Sequence, residues 1–101
     1  MTSKLESHFQ HKYLVELRAI PNSYFFVKEA ASLRGIPDVI GVINGRFVAL
    51  ELKRSEKEAR KKTGRIVLQR HVLSLMRKAG AFAEIVYPEN SRSILLKLRE
   101  L

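Results

Sequence analysis

The sequence predicts a small α/β or α+β domain, a sheet of about four strands flanked by helices, on three observations. Apolar residues recur at helical spacing in three separate segments, short apolar runs bounded by Gly, Pro or Asn-Gly separate those segments, and the two runs joined by Asn44-Gly45 are apolar on both faces, as in a strand pair covered on both sides. A chain of 101 residues has room for one modest core, so residues 1–101 are read as a single domain.

The elements follow in order. Leu5 to Ile20 carries Leu5, Phe9, Tyr13, Leu14, Leu17 and Ile20 at helical spacing, with Ser3 as a candidate cap and Pro21 as the stop. Ser23 to Lys28, "SYFFVK", is rich in aromatic and β-branched residues and predicts a strand. A loop carrying Gly35 and Pro37 leads into a second strand, Asp38 to Ile43. Asn44-Gly45 then gives the strongest short-range hairpin signal a sequence can carry, and Arg46 to Lys53 forms the third strand. Helical periodicity returns from Arg65 to Ala79 and stops at Gly80. Phe82 to Tyr87 is a fourth strand closed by Pro88, and Ile94, Leu95, Leu98 and Leu101 make a short amphipathic helix after Ser91. The predicted order is helix, three strands, helix, strand, helix.

Nineteen Lys and Arg stand against ten Asp and Glu, a formal charge of +9, which favours a polyanionic partner such as nucleic acid or an anionic membrane surface. A hydrophobic content of 46% argues against a disordered basic tail. With no cysteine, neither a disulfide framework nor a thiolate zinc site is possible. The opening "MTSKLESHFQHKYL" lacks a long apolar run, so the expectation is a soluble, cytoplasmic protein without signal peptide or membrane span. His8, His11 and His71 have no metal-ligand grouping, fall off the apolar helix faces and are read as surface residues.

The hairpin poses a chemical question. If Asn44 and Gly45 are the turn residues, cross-strand partners sum to 89, so Ile40 faces Ala49 and Asp38 faces Glu51. Side-chain alternation then places Asp38, Ile40 and Val42 on one face with Phe47, Ala49, Glu51 and Lys53. Two carboxylates roughly 5 Å apart repel by about 3 kcal/mol at an effective dielectric near 20. Taken singly, each charge fits a solvated sheet margin with an ordinary ion pair. Jointly, two like and adjacent charges with a lysine one step along the same face are the signature of a site. A divalent cation held by hard oxygen ligands, Mg²⁺ or Mn²⁺, would offset the repulsion.

Those residues also carry a resemblance. "GIPD" followed by "ELK" on the next strand, here Pro37-Asp38 and Glu51-Leu52-Lys53, resembles the PD-(D/E)xK nuclease superfamily. With the short "NGR" hairpin, the glutamine at position 69 and the "AGA" at 79–81, the chain from about residue 5 to residue 87 is similar to the VRR-NUC (virus-type replication-repair nuclease) domains. The resemblance implies a restriction-endonuclease-like core with a central mixed sheet. It implies Asp38, Glu51 and the backbone carbonyl of Leu52 as ligands to Mg²⁺ or Mn²⁺, Lys53 as the residue that positions the nucleophile or stabilises developing charge, and Gln69 as support for that lysine.

The family pattern also has an acid on the first helix. Glu6 falls near the middle of the stripe formed by Phe9, Tyr13, Leu17 and Ile20, and Glu16 toward its edge, so Glu6 is the expected third acidic contributor, directly or through water. The run "KRSEKEARKKTGR" leaves the catalytic strand and would bring Arg54, Lys57, Arg60, Lys61, Lys62 and Arg65 beside the site to contact DNA phosphates, with Lys28 and Arg34 as further candidates. The implied activity is metal-dependent, structure-selective DNA endonuclease chemistry on branched DNA such as four-way (Holliday) junctions. The chain would act as a homodimer in replication, repair or recombination, encoded by a phage or mobile element, with the C-terminal or the first helix supplying the interface. The competing reading is a non-enzymatic basic nucleic-acid-binding protein with a vestigial nuclease motif. That reading expects one of Asp38, Glu51 or Lys53 to be lost or displaced, and all three are present.

Overall fold

Asn44 and Gly45 turn the chain with φ of 48° and 82°, the left-handed pair that a two-residue hairpin matched to strand twist requires. The sheet is built outward from that hairpin. In the computed structural model of the protein, which describes residues 4–28 and 35–101, with side chains from residue 8 onward, the elements are α1 (Lys4–Arg18), β1 (Ser23–Val27), β2 (Val39–Ile43), β3 (Arg46–Leu52), α2 (Glu56–Ala59), α3 (Gly64–Lys78), β4 (Phe82–Val86) and α4 (Ser91–Arg99). Strand order is β1-β2-β3-β4, antiparallel at the first two junctions and parallel at the third. The α2–α3 segment is the crossover that a parallel β3–β4 pair needs. The fold is therefore α/β, a mixed four-stranded sheet flanked by helices.

Alternation along the strands makes two unequal layers. Phe25, Val39, Ile43, Val48, Leu50, Leu52 and Val86 project to one face and form the main core with Tyr13, Leu14, Leu17 and Ile20 of the α1 region and Ile94, Leu95 and Leu98 of α4. Each such side chain removed from water stabilises by about 1.5–3 kcal/mol. The opposite face carries Ala49 and Ala83 beneath Leu73 of α3, with Met76 and Ile85 at the margin. Small residues at 49 and 83 let α3 approach the sheet closely.

Gly41 pairs with Val48 in an unbroken ladder. A Cβ there would lie 2.3 Å from Cδ1 of Phe25. The glycine is thus the seat of an aromatic ring and not a bulge, and the register Asn44-Gly45 implies runs without a slip.

Three differences from the sequence reading have physical causes. The charge-dense run contains a helix of its own, α2, begun by Ser55, whose Oγ accepts the Glu58 N–H at 3.1 Å. Ser55 thus supplies the N-cap half of an S-x-x-E pattern, in a stretch otherwise read only for its charges, while the Glu58 carboxylate pairs with Lys61 and Arg54. α4 cannot offer its apolar stripe to a second chain, because Ile94, Leu95 and Leu98 are consumed by the core. Among the helices, α1 ends at Arg18, yet Ile20 remains buried, its N–H donated to the Leu17 carbonyl. Ser3 lies outside the described residues. No helix among the described residues is long and apolar enough to cross a membrane.

Candidate metal centre and active site

The last residue pair of the β2–β3 ladder is Val39 with Leu50, so Asp38 and Glu51 meet where the two strands begin to part. Residues 50 and 52 direct their backbone groups toward β2. Beyond Val39 that strand supplies no backbone partner, and the Leu52 N–H goes instead to Oδ2 of Asp38 at 2.9 Å. The Leu52 carbonyl, on the same side of β3, faces the same gap. On the other side β3 stays paired, with the Lys53 N–H donated to the Val86 carbonyl at 2.8 Å. Glu51 is thus held between the β4 ladder on one side and the end of the β2 ladder on the other.

Glu51 is 1% exposed, and Lys53 and Gln69 are also buried. The Glu51 and Asp38 carboxyls lie within hydrogen-bond reach of each other. Burial, then the hydrogen bond and charge of Asp38, raise the Glu51 pKa from its ordinary 4.5 to about 9, against the smaller pull of Lys53 and Lys28. Burial beside a second carboxyl thus favours the neutral form of Glu51. Oε2 of Glu51 has no hydrogen-bond partner. A buried carboxylate oxygen left open costs about 1–3 kcal/mol or more, and it is the kind of atom a hard cation takes. Asp38, Glu51 and the Leu52 carbonyl form an all-oxygen donor set, which fits Mg²⁺ or Mn²⁺.

Gln69 arrives from the helix side. α3 runs antiparallel to β3, with Phe47 beside Met76 and Ala79 and Ala49 beneath Leu73. One further helical turn, about 6 Å, matches two further strand residues, about 6.8 Å, so Gln69 comes level with Glu51. Its Oε1 is buried and also lacks a hydrogen-bond partner. Two buried oxygens without a hydrogen-bond partner thus come level on one face of the sheet, and the buried Lys53 lies one strand step, about 6.8 Å, further along.

α1 leads into β1 through a tight connection, Ser23 Oγ donating to the Ile20 carbonyl at 2.6 Å. The helix therefore runs back along the sheet, and its first turn lies at the end where Asp38 and Glu51 sit. Glu6 belongs to that turn, and Glu16 is about 15 Å further along the axis. The side chain of Glu6 lies outside the described residues, and among those described no third acidic or histidine side chain joins the pair.

The basic residues differ among themselves. Lys28 stands across from Asp38, its N–H donated to the Asp38 carbonyl at 2.8 Å, while its Nζ ties down the Ile36 carbonyl at 3.0 Å. Arg34 lies outside the described residues. Arg60 pairs with Glu56 at 2.7 Å, and Glu58 takes both Lys61 at 2.9 Å and Arg54 at 3.5 Å. Lys61 holds the Glu58 carboxyl below its ordinary range. Such exposed pairs are weak, near 0–1 kcal/mol each. Lys57, Lys62 and Arg65 are exposed, without an ion pair among the described residues. His8, His11 and His71 are exposed, as the helical wheel requires.

One residue of structural weight had no reading in the sequence. The Arg70 guanidinium donates to the Ala59 carbonyl at 3.1 Å and the Lys61 carbonyl at 3.2 Å. This fork fastens the basic segment to α3. An isolated arginine on a helix face gives no signal of this, because its partners are backbone groups. Compared with family models, curated proteins and solved structures, the chain matches none.

Proposed function

We propose that this protein is a metal-dependent DNA endonuclease of the PD-(D/E)xK type, similar to VRR-NUC domains, acting on branched duplex such as four-way junctions as a homodimer. The observation that carries the reading is the buried Asp38–Glu51 pair with Oε2 of Glu51 unpartnered and Lys53 on the same face. The charge of +9 supports a polyanionic substrate.

In this reading Asp38, Glu51 and the Leu52 carbonyl hold Mg²⁺ or Mn²⁺. When bound, the cation supplies charge neutralisation and Lewis acidity at the scissile phosphate. The cation's charge would favour the ionised form of Glu51, offsetting the burial that raises its pKa. Lys53 directs its ammonium to a non-bridging phosphate oxygen, where negative charge grows in the transition state. Gln69 orients that lysine through the free Oε1. Asp38 keeps its hold on the Leu52 N–H, which fixes the β3 backbone under the site. Exposed Lys57, Lys62 and Arg65, with the loosely paired Arg54, Arg60 and Lys61, grip the flanking phosphates without reading bases.

The test is cleavage of labelled linear duplex, single strand, flap and four-way junction with Mg²⁺, Mn²⁺ or EDTA. Wild-type protein cuts the branched substrates with either cation and not in EDTA, and Lys53→Ala and Asp38→Asn lose at least about 100-fold in rate while remaining folded and bound to DNA. Metal-independent binding with no cleavage of any substrate overturns the enzyme reading in favour of a non-enzymatic nucleic-acid-binding protein.

A further inference from the structure

α3 covers only the β3–β4 half of its face of the sheet. On the β1–β2 half the usual alternation is inverted. Tyr24 is 71% exposed, Phe26 53%, Phe47 44% and Val42 39%, where a solvated sheet face carries polar side chains. The buried alternates Phe25, Val39, Ile43 and Val48 face the main core. Contiguous apolar surface of this kind marks a binding site.

The register arranges these residues in rows. Tyr24, Val42 and Phe47 form the first row, and Phe26, Ile40 and Ala49 the second. Lys28, Asp38 and Glu51 form the third, continued by the Lys28 N–H to the Asp38 carbonyl. Along β1 the series is thus ring, ring, cation, at steps of about 6.8 Å, and the third row is the acid pair. Arg18 shares a shallow cavity of about 350 Å³ with Tyr24, and Arg46 shares a groove of about 670 Å³ with Phe47 and Met76. No Asp or Glu stands in these rows except Asp38 and Glu51.

We infer that this uncovered sheet face is a stacking platform for unpaired nucleotides, with bases on Tyr24, Phe26 and Phe47 and phosphates against Arg18, Lys28 and Arg46. It rests on the nuclease reading only in the consequence that the strand laid there runs into the acid pair, which makes a single-stranded flank part of the substrate. Aromatic rings rimmed by cations fit a polyanion with flat π faces.

Fluorescence anisotropy with a labelled oligo(dT) 12-mer, read in EDTA so that no hydrolysis intervenes, tests the platform against a blunt duplex of equal length. Tyr24→Ala and Phe26→Ala each weaken oligo(dT) binding about five- to hundred-fold, leave duplex binding within about two-fold and keep the wild-type melting temperature within a few degrees, since both side chains are exposed. Tyr24→Phe restores affinity and Tyr24→Leu does not, because stacking needs the ring and not the hydroxyl. The platform is overturned if the alanine variants bind oligo(dT) like wild type, or lose duplex and single strand equally. It is also overturned if sedimentation shows a wild-type dimer that these variants convert to monomer, which would assign the face to a second copy. Binding in EDTA does not depend on cleavage, so failure of the nuclease reading and failure of the platform give separate results.

Discussion

Among single residues, Glu51 matters most. Its folded pKa of about 9 lies above the ordinary 4.5, so between those values the folded state binds the extra proton. Stability of the metal-free protein is then fully present below about pH 4.5, falls as pH rises, and has lost this contribution by about pH 9. Thermal melts across that range should show the decline, and Glu51→Gln, which cannot ionise, should flatten it. Gln69 offers a second check. Its buried Oε1 is unpartnered, so Gln69→Leu should raise the melting temperature by several degrees, the response of a domain this size to about 1 kcal/mol, while lowering cleavage at least about ten-fold. A glutamine kept only for packing would give no such opposition of stability and activity.

Residue-level legibility was uneven for identifiable reasons. That Asp38 meets Glu51 follows from Asn44-Gly45 and a parity count, because a two-residue turn fixes register and register fixes facing. That the Leu52 N–H goes to Asp38 Oδ2 does not follow, since it depends on β2 beginning at Val39, one residue after the Asp38 start that the sequence predicts. The free oxygens of Glu51 and Gln69 are properties of three elements converging, and no single segment encodes that.

At the level of elements, the hairpin and α3 set the site. Gly41 should not tolerate a side chain, for its Cβ would collide with Phe25. Gly41→Ala should destabilise by about 1–3 kcal/mol. Gly64 stands at the start of α3, where an added methyl would meet nothing within 4 Å, and it should accept alanine with a gain of about 0.4–1 kcal/mol. Chemical denaturation of the two variants separates close approach from backbone freedom. Periodicity located every strand and the three long helices to within about two residues, because each buries a continuous apolar face. It missed α2, which buries only Ala59 and is held by its cap, its surface ion pairs and the Arg70 fork. The apolar stripe of α4, one of two candidates for an interface, is spent on the core. An amphipathic stripe tells that a face is covered, not by what.

Over the whole molecule, net charge and shape decide what the protein meets. The basic segment after β3 and the arginines around the open sheet face place positive charge on both sides of the acid pair. Affinity for duplex DNA should fall steeply with salt, and replacing Lys57, Lys62 or Arg65 by alanine should reduce the slope of log K against log salt by about 1 for each phosphate that is no longer neutralised. A titration of salt dependence checks this, and variants that leave the slope untouched would place the DNA elsewhere.

The nuclease proposal stands on Asp38 and Glu51 being a cation site and not a buried carboxyl pair stable on its own. Calorimetric titration of Mn²⁺ into the protein near pH 7, repeated in buffers of different ionisation enthalpy, tests this most directly. A cation site predicts one saturable binding event that releases close to one proton as Glu51 ionises, with binding lost in Asp38→Asn and the proton release lost in Glu51→Gln. Absence of binding, or binding that neither substitution alters, would contradict it.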